Sequence, residues 1–470
     1  MNNIPKVIDL VVNNDLCIGC GLCTYKCQSK AIDMQWNEYG FFVPVLSGAC
    51  NADGACINVC PFNPYPEKEI KTENEIADIF LEDATLSHPQ IGKYLGIYAG
   101  YSEEFRLTSS SGGIATFVFT DLLERGIVNH IFSVKESSTP GTHYEYAISN
   151  NKQELLAASK TRYYPVTLST VFSKINDLDG KIAIVGVACF IKAIRLAQHA
   201  DPLLKEKIPF LIGIICGGVK SKFFTEYLSD KAGVSKDHCN KPEFRIKDLN
   251  STAADYSFGC LSNKDNQEKI IKMRTIGDMW GTGLFKANAC DFCDDVTTEL
   301  ADISVGDAWM EPFVKDGKGT NVVVTRSTLA EKIITEGMEF MKLHAEKVSL
   351  DRFISSQQGS YNHRQIGMPY RIKSIEKKGQ LAPPKRYEIT ISGSSYFKIV
   401  QLLRMYTRKN SLEIWKDTKS AILFDQKMKK KLFLLNNLTQ LYHHKRDNRA
   451  IFTLNNLSKI IKKTFRKKHT

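Results

Sequence analysis

The chain has 470 residues, of which 43% are hydrophobic and 24% are charged, so it can bury a sizeable core in two or three domains. This balance excludes a largely disordered protein. No run approaches eighteen apolar residues, which excludes a membrane-spanning helix. The amino terminus lacks a basic region leading into an apolar one, so no secretory signal is evident and a cytoplasmic location is expected.

The thirteen cysteines form the first clear pattern. An odd number in a long chain without an export signal disfavours a disulfide framework and favours metal ligands. Cys17, Cys20, Cys23 and Cys27 have the spacing C-x2-C-x2-C-x3-C of bacterial ferredoxins. A zinc knuckle, the alternative, would use only four ligands in C-x2-C pairs. The spacing therefore predicts iron–sulfur clusters.

Cys50, Cys56 and Cys60 repeat this pattern, with Asp53 at the position of the missing second cysteine. Crossed ligation, as in two-cluster ferredoxins, predicts two ligand sets. The first set is Cys17, Cys20, Cys23 and Cys60, and the second is Cys27, Cys50 and Cys56 with Asp53 as a candidate oxygen ligand. Because a carboxylate holds such iron more loosely than a thiolate, three outcomes stay open for the second set. They are an Asp-ligated four-iron cluster, a three-iron cluster and no second cluster.

From about residue 95 to 344, short apolar runs alternate with helical periodicity. Buried strands are predicted at 182–187, 209–215, 303–305 and 322–325, and helices at 113–124 and 329–343. Residues 62–90, with one short helix, and residues 376–386 are predicted connectors. The predicted fold is α+β, with a ferredoxin-like dicluster module at 1–66, a larger α/β domain at 90–375 and a basic helical tail at 390–470.

Four further segments of the α/β region carry candidate functional residues. The run Ser109–Gly113 precedes a predicted helix and is either an anion-binding nest for a cofactor phosphate or an ordinary serine cap. Cys189 and Cys216 each follow a predicted strand, and Cys290 and Cys293 form a C-x2-C pair. From the residues alone, a four-thiolate site, structural thiols, zinc and a nucleophilic Cys189 all stay open.

Together these segments resemble the family of coenzyme F-420 hydrogenase/dehydrogenase beta subunits, whose members are iron–sulfur flavoproteins. The resemblance rests on the ferredoxin-like segment, the SSSGG loop, the GVAC and ICGG turns, and CDFCDD followed by ADISVGDAW. It implies a flavin, with FAD favoured, bound in the 90–375 domain beside a further four-iron cluster. The implied flavin residues are Ser109, Ser110, Ser111, Gly112, Gly113, Lys160, Arg162 and Tyr163, and the implied cluster ligands are Cys189, Cys216, Cys290 and Cys293. Cys239 and Cys260 are predicted to be structural.

The resemblance implies an iron–sulfur flavoprotein oxidoreductase with two or three [4Fe-4S] clusters. Electrons would move from the ferredoxin-type clusters through the flavin to a redox partner protein or a small-molecule acceptor, which the sequence does not identify. The alternative is an electron-transfer subunit that docks on a separate catalytic partner and has no substrate of its own. Asp302, Asp307 and Trp309 lie at the ends of a predicted strand and either line the cofactor cavity or form a solvated strand end.

The net charge of +12 lies in the tail, where residues 396–470 contain 19 Lys and Arg against 4 acidic residues. One interpretation is helices packed on the body with a solvated basic face. The inward residues would then be Phe397, Val400, Leu403, Leu434, Leu438 and Leu441. The other is peripheral attachment to an anionic inner membrane face or an acidic partner. Nucleic acid is disfavoured because no recognised binding motif accompanies the charge.

Overall fold

A computed structural model describes residues 3–386 and 395–446, so the parts of the predicted tail at 390–394 and 447–470 lie outside the described residues. Its strands are β1 Ile32–Trp36, β2 Phe42–Leu46, β3 Leu86–His88, β4 Gly92–Tyr94, β5 Gly96–Ser102, β6 His130–Glu136, β7 Tyr144–Ser149, β8 Ile182–Val187, β9 Phe210–Ile214, β10 Cys239–Ile246, β11 Ser257–Ser262, β12 Gln267–Lys272, β13 Ile303–Asp307, β14 Asn321–Thr325 and β15 Leu343–Lys347. Its α-helices are α1 Leu22–Lys26, α2 Ala55–Asn58, α3 Glu73–Phe80, α4 Ile114–Glu124, α5 Lys152–Leu156, α6 Ser169–Phe172, α7 Ala188–Ala200, α8 Pro202–Lys207, α9 Lys222–Lys231, α10 Met273–Ile276, α11 Thr328–Glu339, α12 Leu350–Ser356, α13 Gln358–Tyr361, α14 Met368–Glu376, α15 Ser395–Thr418 and α16 Ala421–Arg446.

The amino-terminal module consists of the antiparallel hairpin β1–β2 and the short helices α1 and α2. It packs directly on the larger domain, where the Leu168 amide donates to the Cys20 carbonyl at 2.9 Å. Gly21 has a φ of +85°, and a Cβ there would lie 2.2 Å from the Thr167 hydroxyl oxygen. The residue at 21 must therefore be glycine for the two parts to approach this closely.

An eight-stranded sheet in the order β15-β5-β14-β13-β9-β8-β6-β7 forms the centre of the larger domain. The four strands β13, β9, β8 and β6 are parallel, and antiparallel strands flank them on both sides. Parallel strands end at one common edge of a sheet, which is where α/β proteins place functional groups. A separate three-stranded antiparallel sheet, β10-β11-β12, lies outside it.

The structure confirms the strands predicted near 182–187, 209–215, 303–305 and 322–325 and the helix predicted at 113–124. The helix predicted at 329–343 is wrong at its end, because α11 stops at Glu339. Met341 then takes a φ of +54°, and Leu343 begins the edge strand β15. The apolar spacing continues as far as Leu343 because that residue is also buried. It is buried as part of the edge strand β15, however, and not as part of the helix.

The described part of the tail forms the helical hairpin α15–α16, which packs on the larger domain. Trp415 is 1% exposed, and its indole N–H donates to Glu226 at 2.8 Å. Phe397 and Val400 are buried as predicted, whereas Leu434 is exposed and that prediction was wrong. The inner face of α16 is instead formed by Phe424, Met428 and Leu435. Among the described residues, no helix is both long and apolar enough to cross a membrane.

Candidate metal and cofactor site

The first predicted ligand set is brought together at the start of α1. Burial raises the pKa of the Cys23 thiol, and the neighbouring Cys20, Cys17 and Cys60 raise it further, so the four side chains lie within electrostatic reach of one another. The Gly19 amide donates to Cys17 Sγ at 3.4 Å. Backbone donors to sulfur are one means by which proteins stabilise iron–sulfur clusters.

The second set is also assembled, at a more exposed position. Burial raises the pKa of the Cys56 thiol, and Cys27, Cys50 and Asp53 add to this rise. The Cys27 and Cys50 sulfurs each accept a backbone N–H at 3.3 Å. Cys27, Cys50 and Asp53 therefore lie within electrostatic reach of Cys56, and their role as ligands stays a prediction.

Asp53 is exposed and held within its own loop. Its carboxylate accepts hydrogen bonds from the Ala55 amide at 2.9 Å and from the Asn51 side chain at 3.0 Å. Iron ligation by Asp53 would compete with these two bonds, and it stays a prediction.

The larger domain brings four distant cysteines to one edge of its sheet. The parallel strands β8 and β9 pair with Val187 opposite Ile214, and Cys189 and Cys216 each follow two residues later. Cys290 and Cys293 lie in and directly after the 3₁₀ turn Asn288–Phe292, which precedes β13. The common edge of the parallel strands therefore explains how Cys189 and Cys216 meet, and the bridge between Lys220 and Lys286 brings the segment of Cys290 and Cys293 to them.

Electrostatic contacts support this assembly, which we call the inner four-cysteine site. Burial raises the pKa of the Cys189 thiol, and Cys293, Cys290 and Cys216 raise it further. Cys20 of the amino-terminal module also contributes, so the inner site adjoins the first ligand set. Amides donate to sulfur here as well, from Gly218 to Cys216 at 3.2 Å and from Val219 to Cys290 at 3.3 Å.

The described residues contain no group of three or more His, Cys, Asp or Glu side chains placed to hold one metal ion. A single zinc ion requires its ligands to converge on one point. A four-iron cluster instead bonds each thiolate to a different iron, so its ligands are spaced more widely. Iron–sulfur ligation by these four cysteines stays a prediction.

A cavity of about 660 Å³ opens beside the inner site, across the carboxyl ends of the parallel strands. This volume lies within the range of roughly 300–1,000 Å³ that is typical of ligand pockets. Its walls include seven of the eight residues predicted to contact a cofactor: Ser109, Ser110, Ser111, Gly113, Lys160, Arg162 and Tyr163. Cys216 lines the cavity as well, which places the inner site at its wall.

The serine loop forms part of the cavity wall, and two of its hydroxyl groups make hydrogen bonds within the protein. The Ser110 hydroxyl accepts the Thr161 amide at 2.9 Å, and the Ser111 hydroxyl donates to the Thr320 carbonyl at 3.1 Å. Gly112 lies behind the wall, where a Cβ would come within 2.7 Å of the Gly100 carbonyl oxygen. The loop therefore joins two strands of the sheet to the Lys160–Tyr163 segment.

Arg162 presents unpaired hydrogen-bond donors at the cavity wall. Its Nε and Nη1 atoms are buried without a hydrogen-bond partner, and its guanidinium carbon lies 4.6 Å from the centre of the Tyr144 ring. A buried unpaired guanidinium nitrogen costs free energy unless a ligand satisfies it. An anionic group such as a phosphate fits this position.

The surroundings of this wall are electropositive. Burial lowers the pKa of Lys247 to about 7, and the nearby Arg106, Lys160 and Arg245 lower it further. Lys160 is paired with Glu243 at 2.8 Å, and Arg245 makes a two-point ion pair with Asp307 at 2.8 and 3.0 Å. The field of these cations favours a ligand that carries negative charge.

Aromatic rings and a buried lysine also line the cavity. The Trp280 ring lies 4.7 Å from the Tyr163 ring, and the Lys220 ammonium lies 4.5 Å from the Trp280 ring. Lys220 donates to the Met279 and Leu284 carbonyls at 2.7 and 2.6 Å. Burial holds the pKa of Lys220 well below its usual range. The two rings meet edge to face and form an aromatic part of the cavity wall.

The remaining sequence candidates fall into two groups. Asp307 and Trp309 line the cavity, whereas Asp302 is buried away from it, paired with Arg195 at 3.0 Å. Cys239 and Cys260 lie buried on the neighbouring strands β10 and β11, outside both cysteine regions. Sequence reasoning missed Lys220, Arg245 and Trp280. Lys220 lies close to the ICGG turn, which was a weak signal, and the other two residues lie in no recognised motif.

Family models match three consecutive parts of the chain. The 4Fe-4S dicluster domain matches residues 16–63, and the N-terminal and C-terminal models of the coenzyme F-420 hydrogenase/dehydrogenase beta subunit match residues 97–173 and 179–350. The chain belongs to this family of beta subunits. The N-terminal family model covers the serine loop and Arg162, and the C-terminal model covers all four cysteines of the inner site.

Individual members of the family are distant in sequence. A subunit of the F(420)H(2) dehydrogenase of Methanosarcina mazei is 22% identical over 72% of this chain and 87% of its own length. The coenzyme F-420-dependent sulfite reductase of Methanocaldococcus jannaschii is 23% identical over 73% of this chain and 50% of its own length. A chain of the F-420-reducing [NiFe] hydrogenase complex from Methanosarcina barkeri is 20% identical, with a TM-score of 0.49 over 64% of this chain and 99% of its own.

Proposed function

We propose that this protein is an iron–sulfur oxidoreductase subunit that moves electrons between its amino-terminal clusters and a flavin-type cofactor in the cavity. The observation that carries this proposal is the meeting of four cysteines from three segments at the wall of a cavity that also contains the unpaired guanidinium of Arg162. When bound, a flavin supplies the exchange between one-electron and two-electron chemistry.

The chain's own residues provide position and charge for this exchange. Seven cysteines of the dicluster domain and the four of the inner site would hold iron, and Cys20 and Cys189 bring the two regions into electrostatic contact. Arg162 and the cations around Lys247 would bind the phosphate of the cofactor, while Tyr163 and Trp280 would contact its ring. FAD remains the first candidate for the bound flavin. The names of the relatives make the deazaflavin F-420 the first reactant to test.

The second candidate is a subunit that passes electrons to a catalytic partner and has no substrate of its own. Relatives named as subunits of a dehydrogenase and of a hydrogenase favour it. A reductase assay on the isolated chain separates the two candidates. Activity of the isolated chain favours the first, and activity that requires a second protein favours the second.

Anaerobic purification with cluster reconstitution, followed by iron, sulfide and cofactor analysis, tests the proposal. We expect roughly eight to twelve irons per chain, as two or three cubanes require. We also expect close to one flavin per chain, identified as FAD, FMN or deazaflavin after release from the protein. Zinc without flavin would contradict the proposal. An Asp53→Ala variant with unchanged iron content would remove Asp53 from the candidate ligands.

For the tail we propose peripheral attachment to an anionic lipid surface. Lys427, Lys429 and Lys430 are exposed on α16, between the exposed apolar residues Ile422 and Phe433. Changing the three lysines to glutamate is expected to weaken binding to phosphatidylserine vesicles on the order of 100-fold, at roughly 1 kcal/mol per lysine. Vesicle sedimentation at low salt measures the effect.

The matched control changes three exposed lysines on other elements to glutamate, namely Lys174, Lys264 and Lys318. It makes the same change in net charge but leaves α16 intact. Equal losses in the two variants, or no binding by the unmodified protein, would contradict attachment through the tail. A truncation before α15 is a poorer test, because it would remove the buried Trp415.

A further inference from the structure

Arg364 joins two segments of the inner four-cysteine site. It lies in the π-helical turn Asn362–Ile366, beyond residue 350 where the match to the family model ends. Its Nη1 atom donates to Cys293 Sγ at 3.8 Å and to the Asp295 carbonyl at 2.8 Å, and its Nη2 atom donates to the Cys216 carbonyl. One guanidinium therefore contacts the cysteine after β9 and the cysteine before β13.

The hydrogen-bond partners of Arg364 differ from those of three lysines around this site. Lys286 pairs with Asp291 at 2.6 Å, Lys192 with Glu73 at 2.9 Å, and Lys385 with Asp294 at 3.2 Å. The hydrogen bonds of Arg364 instead go to two carbonyl oxygens and one sulfur, none of which is a carboxylate. The residue is 7% exposed, and an arginine stays protonated in proteins.

A buried positive charge is costly unless negative charge lies beside it, and the buried Asp295 carboxylate supplies part of that charge for Arg364. Four thiolates with bound iron and sulfide provide further negative charge, and each reduction step adds one electron to it without forming or breaking a bond. A fixed cation in a low-dielectric setting favours the more negative state, so it favours reduction. Hydrogen bonds to a ligand sulfur act in the same direction on cluster potentials.

We propose that Arg364 is a positioning residue that raises the reduction potential of the inner site, so that electrons from the amino-terminal clusters are drawn toward the cavity. This inference rests on the proposed function, because it requires a cluster at the inner site. Arg364 provides both a hydrogen bond to sulfur and a buried positive charge. A substitution that keeps the charge but changes the geometry can therefore separate the two effects.

The test is an anaerobic redox titration of the reconstituted full-length chain, followed by electron paramagnetic resonance. The inner signal is defined as the component that a Cys189→Ala variant lacks. In Arg364→Gln we expect the midpoint of that component to become more negative and its g-values to change. In Arg364→Lys, which keeps the charge but loses the planar geometry, we expect a smaller negative shift.

Arg371 provides a matched control, since it is also a buried arginine of this region. It donates to the Asp291 and His363 carbonyls and to Gln401, without contacting a sulfur. We expect Arg371→Gln to shift the midpoint less than Arg364→Gln. Equal shifts in these two variants, or an unchanged midpoint in Arg364→Gln, would overturn the inference.

If Arg364→Gln does not assemble the inner cluster, Arg364→Lys decides the question. A shift in its midpoint supports the inference, and a midpoint identical to that of the unmodified protein overturns it. Absence of any inner signal in the unmodified protein would instead contradict the proposed function, so the two failures are distinguishable.

Discussion

Replacing Cys189 with alanine is expected to remove about four irons per chain while the amino-terminal clusters stay in place. Cys189 is 8% exposed at the start of α7 and lies among the three other cysteines of the inner site, so no solvent ligand can easily replace it. Electron transfer from the amino-terminal clusters to the cavity is expected to fall by at least roughly 100-fold, the upper end of the cost of disturbing the surroundings of a metal.

Iron and sulfide analysis measures the first effect, and anaerobic stopped-flow reduction of the cavity cofactor measures the second. Cys260→Ala is the matched control, because Cys260 is also buried but lies on β11 outside the inner site. It is expected to keep its full iron content and transfer rate. A Cys189→Ala variant with unchanged iron and an unchanged rate would refute the inner site as an electron-transfer centre.

The amino-terminal cysteines could be recognised as candidate ligands from the sequence because most of them are closely spaced. Cys17, Cys20 and Cys23 lie within seven residues, and the fold of so short a segment is restricted by its ligands. The inner site required more than spacing, since Cys189 and Cys293 are 104 positions apart. Only the family resemblance joined them. The parallel pairing of β8 and β9 brings Cys189 next to Cys216, and the bridge between Lys220 and Lys286 brings the segment of Cys290 and Cys293 to the same turn.

Side chains that act from outside any motif could not be predicted. Arg364 reaches Cys293 across 71 positions, and no periodicity or spacing in its segment marks that contact. The sequence of the serine loop could not distinguish an anion-binding nest from an ordinary helix cap, for a related reason. Its hydroxyls bond to Thr161 and Thr320, while the atoms without partners belong to Arg162, some 50 residues later. Long-range packing decides which polar atoms remain free, and a local pattern cannot report it.

The electrostatic contacts place the cysteine sites in a definite order. The set with Asp53 lies nearest the solvent, its Cys56 is in electrostatic contact with Cys23 of the buried set, and Cys20 of that set is in electrostatic contact with Cys189. Cys216 then lines the cavity. This order runs from an exposed surface to the cavity, which is the arrangement that the proposed electron path requires.

Replacing Arg162 with methionine is expected to weaken binding of the cavity cofactor by about 10- to 100-fold. Its two buried nitrogens have no partner within the protein, so a phosphate oxygen would satisfy both a desolvated charge and a hydrogen bond. A hydrogen bond to a charged group contributes roughly 1.5–3 kcal/mol, and each 1.4 kcal/mol is about tenfold in affinity. Methionine fills similar volume without the charge.

Lys160→Met is the comparison that makes this result specific. Lys160 lines the same wall two residues away, but Glu243 already pairs with it at 2.8 Å, so its loss should weaken binding by less than tenfold. The ratio of flavin to protein after desalting, together with a fluorescence titration of the apoprotein, measures both variants. If Lys160→Met weakened cofactor binding as much as Arg162→Met, the net charge of the cavity wall would determine the affinity. The unpaired guanidinium of Arg162 would then have no special part in holding the cofactor.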